Sequence, residues 1–439
     1  MLGLGASGQA AARLLAHEGA RVTLLDSGES ESLRATAAAM QAEIEGGTVC
    51  LGEAALATLE TGRFAMGILS PGIDPATPLV RKYLKHNAPE TLIGELELSW
   101  RLCECPVVAI TGTNGKTTTT QLVDRMFNAC GVRSAAVGNI GPAFASKVAE
   151  SAAFDIMTVE VSSFQLERIE RFRPVVSVWL NFQPDHLDRY PSLEAYAEAK
   201  LRIFENQTPE DFAIIKYGEP LPPPEALKAR VITFSAYKRG GDLDLRDGVI
   251  HFHGTPVLRM AETHLRGLHN AENLMAALAV GAARGLAFQP MVEALASYKP
   301  LPHRCESVRT LRGVDYVNDS KATNLDALEK ALLSETRPVV LLAGGKDKGF
   351  PFDSLSELVA AKARCVVLIG EMAERIAASW GVHLPCHRAG TLAEAVEIAS
   401  RQAREGDVVL LSPGTSSFDM FKSYADRGDQ FRACVNALK

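Results

Sequence analysis

The stretch from residue 107 to residue 120, VVAITGTNGKTTTT, constrains this chain more than any other. A run of apolar, β-branched residues breaks into a turn of small residues, after which Gly115, Lys116 and Thr117 open a predicted helix. Such a turn directs backbone N–H groups and a helix N-terminus at one anion, which the lysine can also reach. The Thr117 hydroxyl then lies where a phosphate-bound Mg²⁺ needs a ligand. The pattern predicts a nucleoside-triphosphate site.

The spacing of this turn differs from that of the common phosphate loop. That loop has a further glycine five residues before Gly115, where this chain has Ile110. The alternative is an ordinary turn between a strand and a helix. An ordinary turn has no need of a lysine flanked by glycine and four threonines, and we therefore prefer the phosphate-binding interpretation.

Length and composition limit the class of protein. With 439 residues the chain exceeds a single hydrophobic core, and two or three domains are expected. Hydrophobic residues make up 47% and charged residues 22%, as in soluble globular proteins. A net charge of −6 without a basic block argues against a nucleic-acid binder, and no apolar run approaches the ~20 residues of a membrane span.

The eight cysteines are scattered, and Cys103 and Cys105 form the only close pair in the sequence. A zinc site would need a second pair nearby, so these residues are predicted to be buried or half-buried thiols. No signal-peptide pattern opens the chain, and a reducing, cytoplasmic location is expected.

Three α/β blocks follow one another, and we place them at residues 1–93, 94–300 and 301–439. The first opens with GLGASG, the second carries the phosphate turn, and the third follows the joint KPLP. Apolar runs that end in glycine or a turn alternate with helical segments, as in parallel βαβ units. The predicted fold is α/β, with Rossmann-like terminal domains and a central ATPase domain of the P-loop type with a mostly parallel sheet.

The glycines of GLGASG, which are Gly3, Gly5 and Gly8, match a dinucleotide-binding fingerprint, and Asp26 ends the next predicted strand. The fingerprint normally follows a whole strand, whereas only two residues precede it here, which predicts a shortened first strand. Three interpretations remain open: an NAD site, a site for another diphosphate, and a plain tight turn.

Two further polar side chains follow predicted strands. Glu160 ends the run DIMTVEV, and His186 follows VVSVWLNFQP. Because ligands of open α/β sheets gather at the carboxyl ends of strands, both are expected near Lys116. They are candidate Mg²⁺ ligands, although histidine is unusual for so hard an ion. The alternatives are a surface carboxylate for Glu160 and a hydrogen-bonded loop histidine for His186.

Lys200 belongs to a predicted helix from Ser192 to Glu205, in which Ser192 is the N-cap. It shares the apolar face of that helix with Leu193 and Ala197. Burial would lower the pKa of the lysine and make its amine reactive. The alternative is that only its aliphatic stem is buried and the ammonium reaches solvent.

Polar residues elsewhere are candidates for substrate contacts. Asn270 and Asn273 share a helix face, where they could read a base or ribose or could cap the helix. Arg304 follows the joint before the third block, where it could reach a phosphate. Residues 318–324 could form a substrate loop or a solvated turn. Two further turns could cradle a small anionic substrate, at residues 344–349 and 412–418.

Together these motifs resemble those of the Mur ligase family over essentially the whole chain. TGTNGKTT is shared by the wider family. The order EVSSFQL, DHLDRYP, LPHRCE, NDSKATN and SPGTSSFDMF is similar to its D-glutamate-adding members, and the DNPR motif of the diaminopimelate-adding members is absent. The resemblance implies ATP-dependent ligation of D-glutamate to UDP-N-acetylmuramoyl-L-alanine through an acyl phosphate, in peptidoglycan precursor synthesis.

The resemblance also implies roles for the candidate residues. One Mg²⁺ would be held by Thr117 and Glu160, and a second by His186 and a carbamylated Lys200. Those implied in catalysis are Lys116, His186, Lys200 and Arg304. Those implied to bind ATP are Gly112, Thr113, Asn114, Gly115, Lys116, Thr117, Thr118, Asn270, Asn273, Arg304 and Asp319. The UDP-sugar would be bound by Ser7, Asp26, Gly72 and Asn139, and D-glutamate by Lys321, Thr323, Lys348, Ser417 and Phe418.

Three other functions compete with this interpretation. A folylpolyglutamate synthase-like ligase shares the phosphate loop but is not expected to carry DHLDRYP together with NDSKATN. An NAD-dependent oxidoreductase rests on GLGASG alone. A catalytically silent nucleotide-binding scaffold has little reason to keep all four of Lys116, Glu160, His186 and Lys200. The expected partners are therefore small molecules, with no nucleic acid or membrane, and the chain is expected to be a monomer.

Overall fold

A computed structural model describes residues 1–139, 141–185, 189–299 and 302–439. The chain divides into two compact units, of which the first comprises residues 1–259 and 272–296 and the second residues 260–271 and 297–439. The first unit contains a small N-terminal sheet and a nine-stranded sheet, and the second contains a six-stranded sheet. The predicted α/β fold is confirmed, and the three-domain boundaries stay a prediction.

The N-terminal part of the first unit alternates short strands with helices. Its strands are β1 (Thr23–Asp26), β2 (Thr48–Leu51), β3 (Gly67–Leu69) and β4 (Leu92–Gly94). Its helices are α1 (Ala6–His17), α2 (Glu31–Glu43), α3 (Gly52–Thr61), α4 (Pro78–His86) and α5 (Glu95–Leu102). β1 pairs with β2 and β3 pairs with β4, in both cases in parallel.

Leu2 joins these two pairs of strands. It forms parallel bridges with Leu25 of β1 and with Leu69 of β3. Its N–H donates to the carbonyl of Ile68 over 2.8 Å, and its own carbonyl accepts from the N–H of Ser70 over 2.9 Å. The residues before the glycine turn therefore lie in the middle of this small sheet.

The larger sheet of the first unit has the order β13-β12-β11-β10-β9-β8-β5-β7-β6. Its strands are β5 (Val107–Thr111), β6 (Ser134–Gly138), β7 (Ile156–Glu160), β8 (Val176–Trp179), β9 (Phe212–Lys216), β10 (Arg230–Ser235), β11 (Leu243–Arg246), β12 (Val249–Phe252) and β13 (Thr255–Arg259). Strands β5 to β11 all pair in parallel with their neighbours among these strands. Strand β12 pairs antiparallel with both β11 and β13. The strands predicted from DIMTVEV, from VVSVWLNF and from the later polar stretch are therefore confirmed.

Helices cover this sheet and connect its strands. They are α6 (Lys116–Ala129), α7 (Ser163–Leu166), α8 (Leu193–Leu201), α9 (Leu268–Ala283) and α10 (Phe288–Ala296), with α9 beginning in the second unit. Every residue of β5, β7 and β8 is buried, as expected for parallel strands covered on both faces. The same apolar core includes Leu14 of α1 and Leu96 of α5, so the two sheets of the first unit share one core.

The second unit has the sheet order β14-β15-β19-β16-β17-β18. Its strands are β14 (Glu306–Leu311), β15 (Val314–Asn318), β16 (Val339–Gly344), β17 (Ala363–Ile369), β18 (Cys386–Arg388) and β19 (Val408–Leu411), and β14 pairs antiparallel with β15. Its further helices are α11 (Leu325–Ser334), α12 (Ser356–Lys362), α13 (Ala373–Trp380), α14 (Leu392–Gln402) and α15 (Tyr424–Ala437). Alternate residues of β16 enter separate cores, with Leu341 on one face and Leu342 on the other.

Among the helices of the described residues, none combines the length and the hydrophobicity that crossing a membrane requires.

Glu97 of α5 is a fully buried carboxylate that holds a distant turn of the first unit. Its Oε2 accepts from the backbone N–H groups of Glu170 and Phe172, each over 2.9 Å. Its Oε1 accepts from the N–H of Arg171 over 3.0 Å and from the Arg101 guanidinium over 2.7 Å. These donors offset the cost of burying the charge, so the carboxylate ties α5 to the turn at 170–172.

We predict that Glu97→Gln lowers the free energy of unfolding of the first unit by about 2–4 kcal/mol, because the amide leaves buried N–H donors without an acceptor. The matched control is Glu170→Gln, which removes a half-exposed partner of Arg101 and should cost less than about 1 kcal/mol. Urea unfolding followed by circular dichroism measures both. Equal losses in the two variants would contradict the assigned role.

Candidate functional site

The predicted phosphate turn lies between β5 and α6. Gly112 and Gly115 have φ angles of 153° and 85°, in the region that favours glycine. A Cβ at Gly115 would lie 2.4 Å from Oδ1 of Asn273, so a larger residue does not fit. Because α6 begins at Lys116, its first N–H groups lack helical partners and are available to an anion at the turn.

Asn181, just after β8, supports this turn. Its Oδ1 accepts from the N–H of Asn114 over 2.9 Å, and its Nδ2 donates to the Asn114 carbonyl over 3.0 Å. Its own carbonyl accepts from the N–H of Thr113 over 3.1 Å. Asn181 was not among the predicted site residues, although its place at the end of a buried strand was an available signal.

Two lysines converge on one carbonyl group of the turn. Nζ of Lys116 donates to the carbonyls of Gly112 and Thr113, each over 2.8 Å. Nζ of Lys200 donates to the same Gly112 carbonyl over 2.8 Å and to the Thr111 hydroxyl over 3.3 Å. The structure therefore brings together two lysine side chains that are 84 residues apart in the sequence.

Lys200 is buried, with 1% of its surface exposed. Burial, reinforced by the nearby Lys116 cation, lowers the pKa of Lys200 well below its ordinary value. Its Nζ also lies 5.1 Å from the centre of the Tyr196 ring. The alternative that the ammonium reaches solvent is therefore wrong, and the predicted N-cap is confirmed, since the Ser192 hydroxyl accepts from the N–H of Ala195.

Glu160 is the last residue of β7. It pairs with Ile110 of the neighbouring strand β5. It is 1% exposed, so the alternative of a surface carboxylate is wrong. Its Oε1 accepts from Nδ2 of Asn139 over 3.0 Å, and its Oε2 meets no hydrogen-bond donor among the described residues. The hydroxyl-bearing Thr117 is also buried, in the first turn of α6. An orphan carboxylate oxygen and a hydroxyl are oxygen donors that fit a hard divalent cation.

The remaining candidates of the predicted central block are His186, two asparagines and Thr118. Of these, His186 lies outside the described residues. Asn273 accepts from the Thr119 hydroxyl over 3.2 Å, which places it beside the phosphate turn. Asn270 belongs to the second unit, where its Nδ2 donates to the carbonyl of Arg266 over 2.8 Å. Thr118 is buried in the first turn of α6.

The N-terminal glycine turn is held by Asp26. The Asp26 carboxylate accepts from the N–H of Leu4 over 2.8 Å and from the N–H of Gly28 over 2.9 Å. A Cβ at Gly8 would lie 2.0 Å from the carbonyl oxygen of Gly3, so glycine lets α1 pack against the turn. Ser7 is half-buried in the first turn of α1. Gly72 and Asn139 are exposed.

A small pocket lies in the first unit between the end of β3 and the start of α5. Glu95 and Gln165 form part of its polar lining, and the ring of Phe164 forms part of its apolar lining. Arg189 also lines it, with its guanidinium 4.9 Å from the centre of the Phe164 ring and 3.1 Å from a carboxylate oxygen of Glu167. Glu167 and Arg189 were not predicted as site residues.

In the second unit, the predicted residues lie at the carboxyl ends of three adjacent strands, β15, β19 and β16. Asp319 follows β15 and is 8% exposed. Its carboxylate accepts from the N–H of Cys305 over 3.2 Å and from the Ser412 hydroxyl over 3.1 Å. Burial raises the pKa of Asp319 to about 7, more than these hydrogen bonds and the nearby Arg304 lower it.

The other predicted residues of this unit range from buried to exposed. Nζ of Lys321 lies 3.8 Å from the centre of the Tyr424 ring. Arg304 and Thr323 are half-buried. Ser417 is buried, whereas Phe418 is 69% exposed. Lys348 is exposed, with Nζ 5.5 Å from the centre of the Phe350 ring.

Arg427 of α15 was not predicted, although it connects two of these loops. It is fully buried, and burial lowers its pKa to about 10. Its Nη2 donates to the carbonyl of Ser320 over 2.8 Å, and its Nε donates to the Ser320 hydroxyl over 2.9 Å. The same guanidinium donates to the carbonyls of Thr415 and Ser416. It therefore fixes the loops that carry Lys321 and Ser417.

Comparison with known proteins identifies the family. The sequence matches the family model of the Mur ligase middle domain over residues 110–281 and that of the Mur ligase glutamate ligase domain over residues 303–415. A UDP-N-acetylmuramoylalanine–D-glutamate ligase of Geotalea daltonii is 42% identical, and the alignment covers 100% of this chain and 97% of that protein. The enzyme of the same name from Geobacter metallireducens is 41% identical with the same coverage. This chain belongs to the Mur ligase family.

Solved structures agree with this fold at low sequence identity. A pseudomurein peptide ligase from Methanothermus fervidus has a TM-score of 0.64 at 16% identity and covers 100% of this chain and 99% of its own. A UDP-N-acetylmuramate-alanine ligase from Thermotoga maritima has a TM-score of 0.62 at 17% identity, with the same coverage. A folylpolyglutamate synthase of Mycobacterium tuberculosis, complexed with ADP and AMPPCP, has a TM-score of 0.59 at 18% identity over 75% of this chain and 92% of its own. The Mur ligase fold is thus shared with the rival enzyme class, and fold alone does not separate the two.

We predict a pH-dependent loss of stability in the second unit of this Mur ligase, caused by Asp319. Its folded pKa of about 7 is above its ordinary value of 3.8. As the pH rises from about 4 to 7, the unfolded state ionises first, so the free energy of unfolding falls and the loss is complete above about pH 7. Between pH 5 and pH 8 the loss from this residue should be about 3 kcal/mol.

The test compares the wild type with Asp319→Asn, using the fluorescence of Trp380, which is buried in the same unit. The variant should lack this part of the pH dependence, whereas Asp353→Asn, at an exposed position, should keep it. An unchanged pH dependence in Asp319→Asn would show that the carboxyl is ionised in the folded protein throughout this range.

Proposed function

We propose that this Mur ligase joins D-glutamate to UDP-N-acetylmuramoyl-L-alanine, with conversion of ATP to ADP and phosphate, in peptidoglycan precursor synthesis. The observation that carries the proposal is the match at 41–42% identity to D-glutamate ligases along essentially their whole length. The phosphate turn and the buried groups around it supply the chemical support.

ATP would bind at the turn between β5 and α6. The backbone from Gly112 to Thr118 offers N–H groups at a helix N-terminus, and Lys116 can exchange the carbonyls of the turn for phosphate oxygens. This exchange would place its ammonium where negative charge develops on the transferring phosphoryl group. Asn273 lies beside the turn. The other proposed nucleotide contacts are Asn270, Arg304 and Asp319.

The donor set around the turn fits Mg²⁺, which would neutralise phosphate charge when bound. Thr117 and Glu160 would hold one ion, and the orphan Oε2 of Glu160 is the observation that favours it. His186 and a carbamylated Lys200 would hold a second. Burial favours carbamylation of Lys200 because a lowered pKa increases the share of neutral amine, and a neutral amine adds carbon dioxide with release of a proton.

The two other substrates would bind at the flanking sheets. The alanyl carboxylate would take the phosphoryl group, and the amine of D-glutamate would then attack the acyl carbon and expel phosphate. The residues proposed for the UDP-sugar are Ser7, Asp26, Gly72 and Asn139. Those proposed for D-glutamate are Lys321, Thr323, Lys348, Ser417 and Phe418, with Lys348 pairing a carboxylate. Arg427 would keep two of these loops in register.

We also propose that the enzyme acts in the cytoplasm as a monomer. Its three substrates are small molecules, and one chain carries all the proposed contact residues. Sedimentation should then report a mass near 47.2 kDa with and without substrates.

The function is tested by phosphate release from ATP in the presence of UDP-N-acetylmuramoyl-L-alanine. Release should require both the UDP-sugar and D-glutamate, and L-glutamate, L-lysine and diaminopimelate should give at most about 1% of that rate, because binding energy must orient the amine at the acyl carbon. Release that needs a folate in place of the UDP-sugar would favour the folylpolyglutamate synthase class. Folded protein that binds ATP and releases no phosphate with any amino acid would favour a silent scaffold.

Carbamylation is tested separately by carbon-13 NMR with labelled bicarbonate. The wild type should show one carbamate signal that is absent in Lys200→Ala. The matched control is Lys216→Ala, a largely buried lysine of the same unit that pairs with Glu272, in which the signal should persist. A wild type without the signal would leave Lys200 as an unmodified buried amine.

A further inference from the structure

Cys103 and Cys105 lie in the short segment between α5 and β5. Their Sγ atoms are 3.7 Å apart, and both side chains are half-buried. Residues two apart in an extended chain keep their Cα atoms within roughly 7 Å, close to the span of a disulfide. The segment therefore already holds two partly accessible thiols near bonding distance.

The surroundings make the two thiols unequal. A hydrogen bond from the Cys105 thiol is the largest influence on Cys103 and lowers its pKa to about 7, against an opposing effect of burial. The same hydrogen bond and burial raise the pKa of Cys105. The hydroxyl of Ser151, which also accepts from the N–H of Glu104 over 3.0 Å, further lowers the pKa of Cys103.

Two carboxylates face the pair. Glu104 raises the pKa of Cys103, and Asp155 raises that of Cys105, but both are minor influences. Cys103 is therefore the more readily deprotonated of the two thiols. A dithiol that reacts by attack and resolution has this arrangement.

We propose that Cys103 and Cys105 form a redox site, which a hydroperoxide oxidises to an intramolecular disulfide and which a dithiol reduces again. This function is independent of the ligase activity proposed above. It goes beyond the sequence-based prediction of the pair as buried or half-buried thiols.

The oxidation proceeds in two balanced steps. The Cys103 thiolate attacks the outer oxygen of the hydroperoxide, so that the O–O bond breaks, a sulfenic acid forms on Cys103 after protonation, and an alcohol or water leaves. The Cys105 sulfur then attacks the Cys103 sulfur, the S–S bond forms, the S–O bond breaks, and water leaves with the Cys105 proton. In sum, two thiols and one hydroperoxide give one disulfide, one alcohol or water, and one further water.

Another pair of cysteines in the chain shows the contrast. Cys365 of β17 and Cys386 of β18 lie on adjacent strands, but burial raises the pKa of both. Neither is therefore a thiolate near neutral pH. Of these two pairs, only the pair at 103 and 105 combines close sulfur atoms with a lowered pKa at one thiol.

The first experiment treats the folded full-length protein with one equivalent of hydrogen peroxide at pH 7, blocks free thiols with N-ethylmaleimide, and maps peptides by mass spectrometry. The peptide with residues 103 and 105 should lose two hydrogens, and dithiothreitol should restore them. Cys130→Ser, which removes a half-buried cysteine of the same unit, should give the same yield of disulfide. A sulfinic acid on Cys103 with Cys105 still free, or no change at this peptide, would overturn the proposal.

The second experiment follows the alkylation of Cys103 by iodoacetamide as a function of pH, in the wild type and in Cys105→Ser. The wild-type rate should be half-maximal near pH 7, and the variant should shift upward by about one unit or more, towards the ordinary thiol value near 8.5. If the pKa shifts fully, the variant should react about threefold more slowly than the wild type at pH 7. The wild type has the larger fraction of thiolate at this pH, but its thiolate is the weaker nucleophile because its pKa is lower. Coinciding pH profiles in the two proteins would overturn the assigned pairing.

Discussion

The carbonyl oxygen of Gly112 accepts hydrogen bonds from two lysine side chains, and the centre of this molecule depends on that arrangement. Positive charge on both side chains at once is unfavourable, because Lys200 is buried and the carboxylates of Asp185 and Glu160 offset the repulsion only in part. A bound triphosphate would add negative charge at this group. The same group explains why the pKa of Lys200 is low, since both burial and the neighbouring Lys116 disfavour its charged form.

The buried charges of this protein are handled in three different ways. Glu97 is surrounded by backbone N–H donors and an arginine, and so it serves packing alone. Arg427 is satisfied by carbonyls and a hydroxyl, and so it fixes loop geometry. Glu160 keeps one carboxylate oxygen without a hydrogen-bond donor among the described residues. Glu95, which lines the pocket of the first unit, likewise has one carboxylate oxygen without a donor among the described residues. Such an oxygen marks a carboxylate as a candidate for ligand binding, because a buried polar atom without a partner costs free energy.

Strand β5 links the two chemistries that we assign to the first unit. Its carboxyl end carries the phosphate turn, and the dithiol of Cys103 and Cys105 lies just before its other end. Five residues of extended chain span roughly 16 Å, so the thiols are remote from the lysines of the turn. The two sites can therefore be changed independently by mutation.

The sequence by itself determined the α/β class, the parallel strands and the glycine turn, because hydrophobic periodicity and the backbone freedom of glycine are local properties. It also indicated that Lys200 lies on an apolar helix face. It indicated Asn181 only through its place at the end of a buried strand, and it did not indicate Arg427. The hydrogen-bond partners of these two residues lie 67 and 107 residues away in the chain. Only the tertiary structure decided which polar side chains were buried with partners, which carboxylate oxygen was left without one, and which thiols stood close together. The physical reason is that desolvation and hydrogen bonding depend on neighbours that folding brings together from distant parts of the chain.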